Sequence, residues 1–155
     1  IRFSDHHLYL GSRFQARTPE TVAACARYCD VVSFNIHARD VSGAQWARFD
    51  ALGKPAIIGE FQFGSADRGL FRPGLYTVAA EDRRGPAYAC YLRSALADPD
   101  IVGCHWFQYV DEPLTGRPLD GENGHIGFVS VADVPYRDFV AAVRTANLAL
   151  LGALQ

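Results

Sequence analysis

The chain has 155 residues, of which 49% are hydrophobic and 21% are charged, and its formal net charge is -2. This composition supports a packed core in one domain and excludes an intrinsically disordered chain. The small net charge, without a basic run, argues against nucleic acid or an anionic membrane as the partner, and no apolar run is long enough to cross a bilayer. The chain starts with Ile1 and contains no Met, so we expect a processed product or a fragment.

Strands and helices alternate along the sequence. β-branched and aromatic runs predict strands, and caps with helical apolar spacing predict helices. In chain order the predictions are strand 7–14, helix 20–28, strand 30–37, helix 42–52, strand 56–61, helix 81–96, strand 101–108 and helix 136–150. Two long loops, 64–80 and 109–126, follow the third and fourth strands.

Four consecutive strand–helix units with nearly continuous apolar strands predict an α/β fold with a parallel sheet covered by helices. Two architectures fit, a small doubly wound sheet and half of a (β/α)8 barrel. Both bind ligands at the carboxyl ends of their strands, where the long loops lie. No glycine-rich phosphate loop follows the first strand, which disfavours a nucleotide-binding protein.

The four cysteines show no metal-binding pattern. Cys25 and Cys29 are four residues apart, Cys90 lies in a predicted helix and Cys104 in a predicted strand. Neither a C-x-x-C pair nor a histidine at zinc-ligand spacing is present. We expect buried thiols, with one disulfide left open as an alternative, and no metal or cofactor.

A single carboxylate follows the apolar run at 56–58. Glu60 stands between Gly59 and Phe61, where the third strand is predicted to end and where ionisation is costly. Its structural explanation is a strand-end carboxylate paired with a helix cap or a lysine. Its functional explanation is an active-site acid at the edge of the sheet.

The neighbourhood of Glu60 resembles a known family. The runs IIGEFQFGSADRG, GCHWFQYVDEPLTGR and DGENGHIGFVSVADVPY are similar to the β-agarases of glycoside hydrolase family 50, which are retaining glycosidases built on the (β/α)8 barrel. The resemblance implies that residues 1–155 form one unit, the fifth to eighth strand–helix units of that barrel. It also implies Glu60 as the nucleophile, and an acid/base glutamate on a fourth strand that this chain lacks. The family is expected to be secreted or periplasmic.

Two positions depart from the family pattern. Gln62 stands where the family usually has histidine, and His37 stands where a tyrosine is usual. The tyrosine commonly contacts the nucleophile, and a histidine in its place would change its charge near neutral pH. Both departures bear on catalysis without affecting the fold.

A retaining glycosidase needs two carboxyl groups about 5–5.5 Å apart, and its nucleophile needs donors that keep it ionised. The predicted substrate-binding residues lie at strand ends or in the two loops. They are Arg13, Asn35, His37, Gln62, Asp67, Arg68, His105, Trp106, Gln108, Asp111, Glu122 and Asn123. Trp106 could stack on a sugar ring or pack in the core, and His105 could be a ligand or an interior histidine. The loop residues could equally be solvated turns.

Three functional interpretations follow from the sequence. The first is part of a retaining glycoside hydrolase acting on a galactan such as agarose or agaro-oligosaccharides, inactive in isolation because the acid/base carboxylate is missing. The second is a non-catalytic carbohydrate-binding or self-associating half barrel. The third is a doubly wound small-molecule binder. Since a half barrel exposes two sheet edges, we expect a homo-oligomer or association with an N-terminal half barrel.

Overall fold

The computed structural model describes residues 4, 6–41 and 52–153. Its elements are β1 (Arg13–Phe14), α1 (Pro19–Tyr28), β2 (Val32–Asn35), β3 (Ala56–Phe61), a 3-10 turn (Glu81–Arg83) continuing into α2 (Arg84–Leu96), β4 (Ile101–Trp106) and α3 (Arg137–Ala153). The helix predicted at 42–52 lies, except for Leu52, outside the described residues. None of the helices described here is long and apolar enough to cross a membrane.

The four strands form one parallel sheet in the order β1-β2-β3-β4. Each strand lies beside its predecessor in the chain, without the reversal of strand order that defines a doubly wound sheet. The α/β class and the parallel sheet are therefore confirmed. The doubly wound alternative does not agree with this strand order.

The start of α1 follows from local chemistry. The Thr18 hydroxyl accepts a hydrogen bond from Thr21 N, and Thr18 N donates to the Thr21 hydroxyl. Pro19, at the first helical position, has no N–H to leave unsatisfied. The reciprocal cap fixes the residue at which the chain turns into the helix after β1.

The core lies between one face of the sheet and the helices. Phe34 and Ile58 are fully buried, and the Phe61 ring stacks on Tyr91 of α2 with centroids 4.3 Å apart. Because neighbouring residues in a strand point to opposite faces, residues next to these core positions face away from the helices. The pairing of β3 shifts register between Ile58 and Phe61, so the alternation is interrupted there and both of these residues can face the helices. Glu60, next to Phe61, lies on the open face, where its carboxylate meets Arg13.

The first and last strands are shorter than predicted. Gly11 has φ +63, which interrupts the extended backbone, so only Arg13 and Phe14 pair with β2. The segment before Gly11 is held instead by Asp30, which donates its N–H to Tyr9 O and accepts from Tyr9 N, both at 2.8 Å. β4 ends at Trp106 and is followed by a cis peptide bond between Phe107 and Gln108.

Candidate active site

Glu60 is the centre of a small polar group on the open face of the sheet, which we call the Glu60 cluster (Arg13, Asn35, His37 and Glu60). Arg13 Nη1 lies 2.5 Å from Glu60 Oε1, and His37 Nε2 lies 3.6 Å from Glu60 Oε2. Asn35 is the register partner of Glu60, and Ile36 N donates to Glu60 O at 2.9 Å. The ends of β1, β2 and β3 thus bring one cation, one imidazole and one amide to a single carboxylate.

Gly59 makes this approach possible. A β-carbon at this position would lie 2.6 Å from Ser33 Oγ and 3.0 Å from Arg13 Cδ. Such separations are shorter than van der Waals contact allows, so any larger residue would push the arginine away. The glycine before Glu60 therefore lets the Arg13 side chain extend across β2, pass Gly59 and reach the carboxylate on β3.

The His37 ring is buried but short of partners. Its side chain is 6% exposed, and within the described part of the chain neither ring nitrogen makes a hydrogen bond. Burial lowers the pKa of His37, although the carboxylate of Glu60 acts in the opposite direction, so the ring is neutral at neutral pH. Asn35 Oδ1 is likewise buried without a hydrogen bond among these residues. Unpaired polar atoms beside a carboxylate are the kind of surface that a hydroxyl-rich ligand satisfies.

The loop after β4 forms one wall beside this cluster. The Phe107 ring meets the His37 ring edge to face, with centroids 6.5 Å apart, and the Arg117 guanidinium lies 5.4 Å from the centre of the Phe107 ring. Arg117 also pairs with Glu122 at 2.7 Å and Asp120 at 2.6 Å. Phe107 falls in the strand predicted at 101–108, where core packing was the expectation for it.

A second charged group, the Arg84 cluster (Glu81, Arg84, Asp111, His125 and Tyr136), is sealed behind the loops. Arg84 is fully buried, and it donates to Phe63 O and Gly127 O, each at 2.8 Å, and to Glu81 at 3.1 Å. Phe63 opens the loop after β3, and Gly127 closes the loop after β4. One guanidinium therefore ties together the two loops that flank the open face.

The carboxylates of the Arg84 cluster complete this arrangement. Asp111 accepts from Ile126 N, Gly127 N, His125 Nδ1 and Tyr136 Oη at 2.5–3.0 Å. The other His125 nitrogen, Nε2, contacts Glu81. Every charge in the cluster has an oppositely charged or hydrogen-bonding partner, as stable burial requires.

The pKa directions in the Arg84 cluster follow from these contacts. Burial and the nearby Arg84 would lower the pKa of His125, but hydrogen bonds to Asp111 and Glu81 outweigh them and raise it. Burial also opposes ionisation of Glu81 and Asp111, yet hydrogen bonds from His125 and further donors lower both carboxyl pKa values. The contacts thus favour the charged forms of His125, Glu81 and Asp111.

Several predicted site residues have other partners. The Trp106 ring packs among Tyr88, Phe128 and Phe139 on the helix side of the sheet, and its Nε1 donates to Ile126 O at 2.9 Å. The structure therefore separates it from the open face, in agreement with core packing, the alternative considered for it. Asp111 belongs to the Arg84 cluster and has no free acceptor directed at the Glu60 cluster.

The remaining predicted residues are spread over the two loops and β4. Asp67 accepts from Glu81 N, and Arg68 lies over the Tyr136 ring; both line a cleft of about 360 Å³ beside the starts of α2 and α3. His105 is exposed on β4, and Gln108 is half-buried after the cis peptide. Gln62 is buried next to Gly74. Glu122 pairs with Arg117, and the Asn123 amide donates to Leu114 O. The structure thus brings Arg13, Asn35 and His37 to Glu60, and Glu122 to the adjoining wall.

The chain is similar to known agarases over nearly all of its length. Beta-agarase B of Vibrio sp. (strain JT0107) is 46% identical over 145 residues, which cover 92% of this chain and 15% of that protein. Beta-agarase A of the same strain is 43% identical over 154 residues, which cover 95% of this chain and 16% of that protein. The crystal structure of an agarase, AgWH50C, superimposes with a TM-score of 0.88 at 43% identity, covering 92% of this chain and 22% of that one.

No protein-family profile matches the chain. The chain spans about one sixth of the length of the curated relatives it matches, 15% and 16%. The matches nevertheless cover 92–95% of this chain. On these grounds the chain belongs to the β-agarases of glycoside hydrolase family 50.

Proposed function

We propose that this chain supplies the nucleophile, Glu60, of a retaining glycoside hydrolase that acts on agarose or agaro-oligosaccharides. The observation that carries the proposal is the Glu60 cluster itself. A carboxylate at the end of a parallel strand, on the face away from the helices, is paired with Arg13 and adjoined by a neutral His37. The Arg13 guanidinium pairs with the carboxylate that would attack an anomeric carbon.

For the architecture, we propose that residues 1–155 form the C-terminal half of a (β/α)8 barrel, its fifth to eighth units. The parallel strands in sequential order support this, because a barrel is wound in one direction. Within the described residues, β1 and β4 each have a hydrogen-bonded neighbour strand on one side only. An N-terminal half barrel, or a second copy of this chain, would cover those edges.

The acid/base carboxyl of the reaction is proposed to lie outside this chain. In a retaining enzyme it must stand about 5–5.5 Å from the nucleophile. The described neighbours of Glu60 are an arginine, an amide and an imidazole, and the wall residue Glu122 is committed to Arg117. The chain alone is therefore expected to bind sugar without turning it over.

The substrate contacts are proposed to come from the unpaired polar atoms beside Glu60. Among the described residues, His37 and Asn35 have hydrogen-bonding atoms without partners that could bind sugar hydroxyls, and Phe107 offers an apolar face near His37. Further along the loops, Phe71 and Tyr109 are 75% and 63% exposed. Such a mixture of a few polar groups and aromatic faces suits a neutral oligosaccharide.

The role of Glu60 can be tested without the acid/base residue. A 2-fluoro galactosyl donor with a dinitrophenolate leaving group needs no protonation to depart, so a nucleophile alone can form the glycosyl ester. We expect the 155-residue chain to be labelled on the peptide that carries Glu60, and the Glu60→Gln variant to remain unlabelled. Labelling at another carboxylate, or equal labelling of both proteins, would contradict the assignment.

Turnover is tested separately with the isolated chain and neoagaro-oligosaccharides. We expect no release of new reducing ends above a blank. Release that disappears in Glu60→Gln would show that this chain already contains a working acid/base group, and the proposal that it lies elsewhere would be wrong.

A second candidate function is carbohydrate binding without catalysis, and the exposed Phe71 and Tyr109 favour it. Calorimetric titration of Glu60→Gln with agaro-oligosaccharides tests binding apart from chemistry. If the chain binds and Tyr109→Ala lowers its affinity severalfold, while the fluorinated donor leaves Glu60 unlabelled, the binding function is preferred. Light scattering at several concentrations shows whether a second copy closes the sheet.

A further inference from the structure

Two thiols stand together at the end of α1, apart from both charged clusters. Cys25 lies in the last turns of the helix, and Cys29 is its C-cap residue, whose N–H donates to Cys25 O at 2.8 Å. Both are free thiols, and both are buried, with 9% and 6% of their surface exposed. The backbone hydrogen bond keeps the two residues on the same side of the helix.

Gly11 shows how close the two sulfur atoms are. A β-carbon built on Gly11 would lie 2.6 Å from Cys29 Sγ and 2.9 Å from Cys25 Sγ. Because both sulfur atoms lie within 3 Å of the same position, the built β-carbon of Gly11, they are close to each other. The glycine at φ +63 rests directly on the pair.

The backbone can accommodate a bond between them. In a regular helix, β-carbons four residues apart are about 5–6 Å from each other. A disulfide needs about 3.5–4.5 Å. Cys29 is outside the regular helix, with φ -105 and ψ 157, so its position is set by the chain leading into β2 and not by the helical ladder. The spacing of a regular helix therefore does not apply to this pair.

We propose that Cys25 and Cys29 form a disulfide under oxidising conditions. This bond would stabilise the end of α1, against which Gly11 and the segment leading into β1 pack. A small-molecule disulfide is the oxidant. One cysteine thiolate attacks it and releases one thiol, which leaves a mixed disulfide. The second cysteine thiolate attacks that mixed disulfide and releases the second thiol. The protein loses two protons and two electrons, and the oxidant is reduced to two thiols.

Access to the pair is controlled by the segment that covers it. Burial raises the pKa of Cys29 to about 11, so little thiolate forms while Gly11 stays in place. The covering segment is held by the two hydrogen bonds between Tyr9 and Asp30, and Leu8 and Tyr9 are 72% and 63% exposed. We expect the exchange to proceed when this segment lifts, and to be slow in the native state.

The pair also bears on the Glu60 cluster. Gly11 is two residues before Arg13, whose guanidinium pairs with Glu60. A disulfide beneath Gly11 fixes the end of α1, the start of β2 and the support of β1 with respect to each other. The oxidised chain is therefore expected to hold Arg13 at Glu60 more persistently than the reduced chain.

Mass spectrometry of the full chain tests the bond directly. The chain is equilibrated with oxidised and reduced glutathione, remaining thiols are alkylated, and the protein is unfolded and digested with trypsin. Cleavage after Arg27 separates peptide 18–27, with Cys25, from peptide 28–39, with Cys29. We expect the two peptides to remain joined, with a mass two hydrogen atoms below their sum, and to separate on reduction.

A double variant, Cys90→Ser with Cys104→Ser, removes the other two thiols and tests whether they contribute. It is expected to give the same joined peptides and no thiol that alkylates after oxidation. The Cys25→Ser variant is the control, and should leave Cys29 as a free thiol or a glutathione adduct. Two alkylated cysteines, glutathione adducts at both, or a bond to Cys90 or Cys104 in the full chain would overturn the proposal.

Discussion

Glu60 and Glu81 are both glutamates with an arginine and a histidine beside them, and their side chains are similarly buried, at 13% and 10% exposure. Their surroundings differ. Arg13, the partner of Glu60, is 58% exposed, whereas Arg84, the partner of Glu81, is 0% exposed. The histidine beside Glu60 has its pKa lowered by burial, and the histidine beside Glu81 has its pKa raised by two carboxylates.

The two clusters differ in whether their polar groups already have partners within the protein. In the Arg84 cluster every polar group has a partner within the chain, so the cluster can hold the two loops but has nothing left to offer a ligand. In the Glu60 cluster, buried atoms of Asn35 and His37 have no hydrogen bond among the described residues. A buried carboxylate with unpaired polar neighbours indicates function better than burial alone.

The largest expected effect is the loss of the buried guanidinium. Arg84→Met leaves Glu81 and the carbonyls of Phe63 and Gly127 without their donor. We expect the free energy of unfolding to fall by about 3–5 kcal/mol, as is typical when one partner of a buried pair is removed. Urea denaturation measures this, and Arg83→Met, whose side chain is 67% exposed, is the matched control with a change within about 0.5 kcal/mol. Equal effects would show that the cluster does not hold the loops.

The two glutamates can be compared by the same substitution. Glu81→Gln removes a charge that His125 and Arg84 both contact, and we expect a loss of about 2 kcal/mol in unfolding free energy. Glu60→Gln removes a pair with an exposed arginine, so its expected change is within about 0.5 kcal/mol. A larger loss for Glu60→Gln than for Glu81→Gln in urea denaturation would reverse the comparison.

Gly59→Ala tests the route of Arg13 to Glu60. The new methyl group would meet Ser33 Oγ and Arg13 Cδ, and we expect it to displace the guanidinium at a cost of about 1 kcal/mol in stability. The displacement is measured as loss of the contact between Arg13 and Glu60 in a crystal structure of the variant. Gly103→Ala, on the neighbouring strand, is the control, since nothing lies within 4 Å of its added carbon. An Arg13 that stays at Glu60 in Gly59→Ala contradicts the expectation.

The two histidines should give opposite pH dependences. His125 has a raised pKa in the folded chain, so its stabilisation is complete below its ordinary value of 6.5 and is lost as pH rises through the folded value. His37 has a lowered pKa, so it opposes folding as pH falls below 6.5. We expect the loss of stability at alkaline pH to be smaller in His125→Gln than in the unsubstituted chain. NMR titration of the two rings measures the shifts directly, and a His125 that titrates below His37 would contradict them.

Much of the sheet was predictable because its signals are local. The strand Ala56–Phe61 was predicted at its observed bounds. Glu60 drew attention because it follows an apolar run, but its proposed role as nucleophile came from the family resemblance. The face on which Trp106 lies was not predictable, because His105 and Trp106 are both acceptable at either face and their orientation depends on register with β3. Which side chains of a strand face the core depends on its register with the neighbouring strand, and not on its own residues alone.

The Arg84 cluster was missed for a different reason. Glu81, Arg84 and His125 are polar residues in or next to loops, where solvated side chains are the ordinary expectation. Their contacts join residues up to 44 positions apart in the chain, and no spacing rule connects them. Asp111 was predicted as a substrate ligand, yet it accepts four hydrogen bonds within the protein. Only the folded structure shows which carboxylates already accept hydrogen bonds from the protein itself.

Arg84 donates hydrogen bonds to the carbonyls of Phe63 and Gly127, and this has a practical consequence for engineering. Phe63 lies two residues after the end of β3, and Gly127 directly follows the loop 109–126, so the outer stretches of both loops can be exchanged while these anchors stay fixed. Leu119, 92% exposed in one of these stretches, is a natural first position for a loop library. Randomisation that spares Arg84 and its acceptors should yield a high proportion of folded variants.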